Sequence, residues 1–225
     1  MFDYGGVIGT PVERYLVEFE AQQGYPRGAL MKLLFGEDVF AENPEWTSDT
    51  PSVSHNWHRL ETGELDILSY IDDARIRAPE VIGREFDIEA FAVFMAEVPI
   101  GVFWPAVHRI RALREEGLAL GLLTNNIKEF GSTWRSTFPV VDLFDVVVDS
   151  SEVGMRKPDP RIYEYTCEQL GIAPDAAVFL DDLPVNIAAA RSVGMETVRV
   201  DEDILTAIAE LDAILARRGT GVRSR

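Results

Sequence analysis

The sequence predicts an α/β fold with a doubly wound, mostly parallel, Rossmann-like sheet and an all-helical insert near the start of the chain. Two observations lead to this prediction. In the second half, short apolar segments alternate with segments of helical spacing, which is typical of strands buried on both faces of a parallel sheet. Between residues 12 and 99, helical segments follow one another without a convincing strand.

The elements of the sheet can be placed in chain order. A very short first strand precedes Asp3, and the later strands are predicted at residues 117–126, 145–150, 176–182 and 195–200. The helices between them are predicted at residues 104–117, 160–171 and 184–194. Pro105 and Pro184 stand where helices begin, and Gly117, Gly171 and Gly194 stand where the three helices end, as helix boundaries favour.

The insert divides the predicted core into two pieces. Residues 1–11 and 100–225 are expected to form the α/β core, and residues 12–99 the helical domain. Its predicted helices are VERYLVEFEAQQG, RGALMKLLFG, SHNWHRLETG, DILSYIDDARIRA and DIEAFAVFMAEV. The boundary loops GVIGTP and VPIGVFWP are rich in glycine and proline, which supports these divisions.

Charge and composition exclude several classes of partner. A formal net charge of -17 disfavours nucleic acids and anionic membranes, because both bind basic surfaces. No apolar run is long enough to span a membrane. The single cysteine, Cys167, excludes an internal disulfide and points to a cytoplasmic location. We expect a monomer or homodimer.

Polar residues follow several of the predicted strands. Because ligands of open parallel sheets bind at the carboxyl ends of the strands, we expect these residues to converge: Asp3, Thr124, Asn125, Lys157, Asp181 and Asp182. Three neighbouring carboxylates repel one another unless a cation holds them, and hard oxygen ligands suit Mg²⁺. A lysine and a hydroxyl can bind phosphoryl oxygens, while the Asp3 carboxylate can attack phosphorus. The pattern therefore predicts phosphate-ester hydrolysis.

The motifs FDYGGV, LLTNN, RKPDPRIY and FLDDLPVNIAAARSVGM resemble, in order and spacing, the four motifs of the haloacid dehalogenase (HAD) superfamily, subfamily IA. The resemblance covers essentially the whole chain. The segment KPDPRIYEYTCEQLGIAPDAAVFLDDLPVNIAAARSVGM closely resembles the N-terminal phosphatase domain of soluble epoxide hydrolases and related bacterial sugar-phosphate phosphatases. It implies that the helical insert is a cap over the active site. It also implies a Mg²⁺-dependent hydrolase of small phosphorylated metabolites that works through an aspartyl-phosphate.

The resemblance also implies roles for individual residues. Asp3 would be the nucleophile and a metal ligand, together with the main-chain carbonyl of Gly5. Asp181 would bind Mg²⁺, and Asp182 would support it directly or through water. Thr124, Asn125 and Lys157 would bind the phosphoryl group, while Asn186 would orient the acidic loop.

One departure from the family pattern concerns the general acid. Most phosphatases of the superfamily carry a second aspartate two residues after the nucleophile, and here that position is Gly5. Either the enzyme prefers substrates with a good leaving group, or a cap residue such as His55 or His58 supplies the proton. His55, His58 and Arg59 are the cap residues that we predict to contact substrate.

A second departure is the short first strand, since only Met1 and Phe2 precede Asp3. We expect a largely empty central slot in the sheet and a poorly anchored Asp3, and we interpret Met1 as an internal methionine of a longer natural chain. Two alternative functions stay open. One is a metal-independent 2-haloacid dehalogenase, and the other is a catalytically weakened, phosphate-binding member of the superfamily.

Overall fold

The computed structural model describes residues 1–36, 55–201 and 203–219. Four short strands form the sheet: β1 (Gly121–Thr124), β2 (Val146–Asp149), β3 (Val178–Asp181) and β4 (Glu196–Arg199). Strand β1 pairs in parallel with β2, and β3 pairs in parallel with β4. Phe2 bridges to Leu122 and to Leu180, both in parallel, so the order across the sheet is β2, β1, the Phe2 segment, β3 and β4.

The helices of the insert are α1 (Val12–Gln23), α2 (Ala29–Phe35), α3 (Asn56–Glu61), α4 (Ile67–Val81) and α5 (Ile88–Glu97). Two of them begin at aspartate caps: Asp66 accepts hydrogen bonds from two main-chain N–H groups of α4, and Asp87 accepts one from α5. The insert has its own apolar cluster, which includes Leu16, Leu30 and Leu60 and to which the core adds Ile127. Predicted insert residues 37–54 lie outside the described residues.

The core helices are α6 (Trp104–Glu115), α7 (Gly131–Arg135), α8 (Val140–Leu143), α9 (Ser150–Val153), α10 (Pro160–Leu170), α11 (Pro184–Ser192) and α12 (Ile204–Arg218). The predicted helices correspond to α6, α10 and α11, whereas α7, α8, α9 and α12 were not predicted. Within the described ranges, no helix combines the length and the apolar character needed to cross a membrane.

Side chains of the sheet alternate between two apolar clusters. Leu122 and Leu180 belong to one cluster, which α6 and α12 complete with Val107, Ile110, Leu211 and Ile214. Their chain neighbours Leu123 and Phe179 belong to the other, which α10 and α11 complete with Ile162, Tyr163, Ala189 and Ala190. Helices therefore cover both faces of a parallel sheet, which confirms the predicted doubly wound fold.

The first residues of the chain lie in the centre of this sheet, and the expectation of a largely empty slot is wrong. The N–H groups of Phe2 and Asp3 donate to the carbonyls of Gly121 and Leu180, each at 2.9 Å. The carbonyl of Phe2 accepts from Leu123 at 2.9 Å. Because the neighbouring strands are only four residues long, this short segment satisfies their main-chain groups, and Asp3 is firmly anchored.

Candidate active site

Three carboxylates meet at the carboxyl edge of the sheet, as predicted. Asp3 follows the central segment, Asp181 ends β3, and Asp182 is the next residue. Each offers a carboxylate oxygen, and these oxygens all lie within 4.8 Å of one another. Asp3 and Asp181 are buried, so little solvent screens their repulsion. Such a group of hard oxygen donors can hold a divalent cation.

Lys157 lies against two of these carboxylates. Its Nζ is 2.8 Å from Oδ2 of Asp3 and 2.6 Å from Oδ2 of Asp181, and the residue is 1% exposed. Burial disfavours the ammonium charge, but Asp181 and Asp3 outweigh this effect and raise the pKa of Lys157. Lys157 therefore stays protonated and supplies a fixed positive charge beside Asp3.

The two buried aspartates are oriented by different donors. Asp181 accepts hydrogen bonds from Nδ2 of Asn186 at 2.9 and 3.1 Å, and its Oδ1 also accepts from the N–H of Leu183 at 2.8 Å. The Oδ1 of Asp3 accepts from the N–H of Tyr4 at 2.7 Å. The Oδ2 of Asp3 faces Lys157. Both carboxylates are therefore held in one orientation.

Burial changes the proton affinity of the acidic cluster. It raises the pKa of Asp3 to about 7, although the Lys157 charge opposes the rise. Burial and the negative charges of Asp181 and Asp3 raise the pKa of Asp182 well above its usual range. Three carboxylates beside one ammonium leave excess negative charge in a buried place, which a proton or a cation must offset.

Thr124 and Asn125 follow β1 at the same edge. Thr124 is buried, and its hydroxyl donates to the carbonyl of Asn125 at 3.4 Å. The side chain of Asn125 accepts from the N–H of Lys157 at 2.8 Å and donates to the carbonyl of Lys157 at 2.9 Å. Asn125 therefore holds the main chain of Lys157 in place. The contact of Asn125 with a phosphoryl group stays a prediction.

The glycine pair after Asp3 has two distinct environments. Gly6 has a φ of +70°, and a Cβ there would lie 2.2 Å from Oδ2 of Asp182. A Cβ on Gly5 would meet nothing within 4 Å. Gly6 therefore permits the close approach of Asp182 to the loop, whereas Gly5 faces open space.

The predicted cap residues lie in and beside α3. The Nδ1 of His55 accepts from the N–H of Trp57 at 3.1 Å, so His55 caps this helix. Burial, and then the nearby charge of Arg156, lower the pKa of His58 to about 3. The Arg59 side chain is half exposed, with its nitrogens 3.4 Å from Oδ1 of Asn56 and 3.9 Å from Glu64. The substrate contacts predicted for these three residues stay predictions.

Two groups of buried polar atoms were not predicted from the sequence. Arg156, which precedes Lys157, donates from Nε to Glu61 of α3 at 2.7 Å, and both residues are buried. Glu13, in the first turn of α1, has a buried Oε2 with no hydrogen-bond partner among the described residues. Both residues stand in segments quoted above, but no spacing marks one glutamate or arginine among many charged residues.

At the carboxyl edge of its parallel sheet, the chain thus presents a carboxylate, a lysine and an acidic pair. Residues 2–194 match the family of haloacid dehalogenase-like hydrolases. The chain belongs to this family and is an enzyme of the hydrolase class. The resemblance seen in the motifs is thus confirmed.

Curated relatives match the chain over different lengths. Mouse acyl-CoA dehydrogenase family member 10 is 30% identical, over 96% of this chain and 19% of the mouse protein. Pig bifunctional epoxide hydrolase 2 is 28% identical, over 95% of this chain and 38% of the pig protein. Phosphatase MT3486 of Mycobacterium tuberculosis is 34% identical, over 47% of this chain and 52% of that protein. The chain spans about half or less of the length of these relatives.

A solved structure supports the fold. A HAD family enzyme from Bacteroides thetaiotaomicron, in complex with magnesium and inorganic phosphate, superimposes with a TM-score of 0.61. The match covers 90% of this chain and 94% of the other, at 21% sequence identity. At this identity the comparison bears on the fold alone.

Proposed function

We propose that this enzyme is a Mg²⁺-dependent phosphatase of small phosphorylated metabolites, with Asp3 as the nucleophile. The observation that carries the proposal is the contact of Lys157 with both Asp3 and Asp181, beside a third carboxylate, at the carboxyl edge of the sheet. A carboxylate nucleophile, a fixed positive charge and a set of cation ligands are the parts that phosphoryl transfer needs.

The donor set fits Mg²⁺. Asp3, Asp181 and Asp182 provide hard oxygen atoms close together, and the nearby Lys157 cannot neutralise all three. Asp3 and Asp181 would hold the ion with the carbonyl of Gly5, and Asp182 would support it directly or through water. When bound, Mg²⁺ supplies positive charge that offsets the charge of the phosphoryl oxygens.

The protein side chains account for the rest of the reaction. The Asp3 carboxylate attacks phosphorus, and the bond between phosphorus and the leaving oxygen breaks. Lys157 stabilises the equatorial negative charge, and the hydroxyl of Thr124 donates a hydrogen bond to a phosphoryl oxygen. Water then attacks the aspartyl-phosphate, which returns Asp3 as a carboxylate and releases inorganic phosphate. Asn125 holds the Lys157 main chain in register for both steps.

The variant Asp3→Asn tests this proposal, because the amide is nearly isosteric but cannot attack phosphorus. We expect it to abolish Mg²⁺-dependent hydrolysis of p-nitrophenyl phosphate while the protein stays folded by circular dichroism. Asp142→Asn, at an exposed position, is the matched control and should keep full activity. Full activity in Asp3→Asn would refute the assignment of the nucleophile.

Two other functions are separated by simple measurements. A 2-haloacid dehalogenase would use Asp3 without a metal, so EDTA would leave its activity unchanged, whereas a phosphatase would lose activity. Gly5 favours a second alternative, a phosphate-binding protein with a weakened site, because the usual acid is missing there. Calorimetry that detects phosphate binding in a protein without turnover would support that alternative.

A further inference from the structure

A buried ion pair joins the helical insert to the residue that precedes Lys157. The Nε of Arg156 donates to Oε2 of Glu61 at 2.7 Å, and each side chain is 7% exposed. Glu61 ends α3, and the two partners are 95 residues apart in the chain. Desolvation offsets much of the attraction between buried charges, so replacing such a pair with apolar residues is often neutral or stabilising. Stability alone therefore does not explain the pair.

Lys157 needs support because its ammonium group meets two carboxylates at once. Its Nζ is 2.8 Å from Asp3 and 2.6 Å from Asp181. A lysine carries its charge on a flexible four-carbon stem, so both contacts depend on where the main chain places the Cα atom. Asn125 bonds the N–H and the carbonyl of Lys157. Bonds to one small side chain define a pivot, and a second anchor is needed to stop the loop from turning about it.

Helix α3 gives this second anchor a fixed place. The turn after α3 packs against α9, since a Cβ on Gly63 would lie 3.1 Å from the carbonyl oxygen of Ser151. Helix α9 leads into the segment that carries Arg156. The hydroxyl of Ser150, at the start of α9, accepts from the N–H of Asn126 at 3.0 Å and donates to its carbonyl at 3.2 Å. Helix α3, α9 and the residues after β1 therefore support the Lys157 loop together.

We propose that Glu61 is a positioning residue that acts through Arg156 to place Lys157 for catalysis. This inference rests on the proposed phosphatase function, in which the Lys157 ammonium stabilises the negative charge of the phosphoryl oxygens in the transition state. Adjacent Cα atoms are about 3.8 Å apart, so a shift of the Arg156 main chain carries Lys157 with it. A displacement of about an ångström at a catalytic group lowers a rate by as much as ~10²-fold.

The kinetic test compares Glu61→Gln with the wild type and with Glu64→Gln, a nearby glutamate whose side chain is 56% exposed. The values of kcat and KM for p-nitrophenyl phosphate are measured at saturating Mg²⁺, and circular dichroism gives the folded fraction. In Glu61→Gln we expect kcat per folded molecule to fall by ~10- to 10²-fold and KM to change by less than about threefold, because Lys157 acts mainly in the transition state. Glu64→Gln should match the wild type.

The double variant Glu61→Met/Arg156→Met separates positioning from stability. It leaves no unpaired buried charge at the two positions, so the urea midpoint should lie close to the wild-type value. Lys157 still lacks its anchor, so kcat should stay as low as in Glu61→Gln, and the double variant carries the test if Glu61→Gln does not fold. Recovery of kcat together with stability would show that Glu61 acts on folding alone and would overturn the inference. A loss confined to KM would also overturn it, since it would indicate contact of the pair with substrate.

The Lys157 ammonium group can also be followed without turnover. The chain has three lysines, Lys32, Lys128 and Lys157, so isotope-labelled lysine gives three Nζ signals in nuclear magnetic resonance spectra. An ammonium held between two carboxylates should give a sharp signal without metal, and Glu61→Gln should shift or broaden it whereas Glu64→Gln should not. An unchanged signal in Glu61→Gln would overturn the inference. A wild-type enzyme without phosphatase activity would refute the proposed function, while this signal would still decide whether Glu61 positions Lys157.

Discussion

The close approach of Gly6 to Asp182 allows a strong prediction for Gly6→Ala. The new Cβ would lie 2.2 Å from Oδ2 and 2.3 Å from Cγ of Asp182, whereas ordinary contacts begin at 3.4 Å. The carboxylate must therefore withdraw by more than an ångström. The φ of +70° adds strain, because an L-residue in the left-handed region costs about 1–2 kcal/mol.

These two effects predict two separate losses. We expect the free energy of unfolding without metal to fall by about 1–2 kcal/mol from the backbone strain. In the proposed site, a displacement of an ångström would move Asp182 out of place for Mg²⁺, whose coordination distances are narrow, so activity should fall by ~10²-fold at limiting Mg²⁺. Urea unfolding in EDTA measures the first loss, and the Mg²⁺ dependence of p-nitrophenyl phosphate hydrolysis measures the second.

Gly5→Ala is the matched control for this experiment. A Cβ at Gly5 meets nothing within 4 Å, and its φ is outside the positive range of the strained glycines. We expect its stability to change by less than about 0.5 kcal/mol and its Mg²⁺ requirement to stay as in the wild type. The reasoning would be refuted if Gly6→Ala kept the wild-type Mg²⁺ requirement, or if Gly5→Ala lost as much.

Two further predictions concern buried charges. Without metal, Asp3 has a pKa of about 7 in the folded protein and of about 3.9 in the unfolded chain. The free energy of unfolding should therefore fall by up to ~4 kcal/mol as the pH rises between these two values. Urea unfolding in EDTA across this range should show the fall, and Asp3→Asn should lack this contribution. Glu61→Gln removes a buried charged partner of Arg156 and should lower the free energy of unfolding in urea by about 1.5–3 kcal/mol. Glu64→Gln, at an exposed position, should cost almost nothing, and equal effects would contradict the importance of the buried pair.

The convergence of Asp3, Lys157 and Asp181 could be predicted because it follows from topology. In a parallel sheet every strand ends at the same edge, so residues far apart in the chain meet there whatever their side-chain contacts. The strand boundaries could not be predicted as well. Apolar residues such as Leu118 and Leu120 continue the pattern of β1 although they precede it, since the apolar core extends beyond the hydrogen-bonded ladder.

Helix α12 could have been predicted from the helical spacing of its apolar residues. ILTAIAELDAILARR has apolar residues at helical spacing, and Ala207, Leu211 and Ile214 are buried against the core. Asp203 caps its start by accepting from the N–H of Leu205 at 3.0 Å. By contrast, no pattern could reveal the buried oxygen of Glu13, because burial of one carboxylate among 38 acidic residues depends on three-dimensional packing.

The pair of Glu61 and Arg156 shows how the helical insert is connected to the chemistry. It ties α3 to the residue directly before Lys157. The position of α3 is therefore coupled to the chain beside the lysine. Asn125 fixes the same chain from the end of β1, because it bonds both the N–H and the carbonyl of Lys157. Through these contacts α3 and the end of β1 both hold the chain that carries Lys157, whose Nζ contacts Asp3 and Asp181.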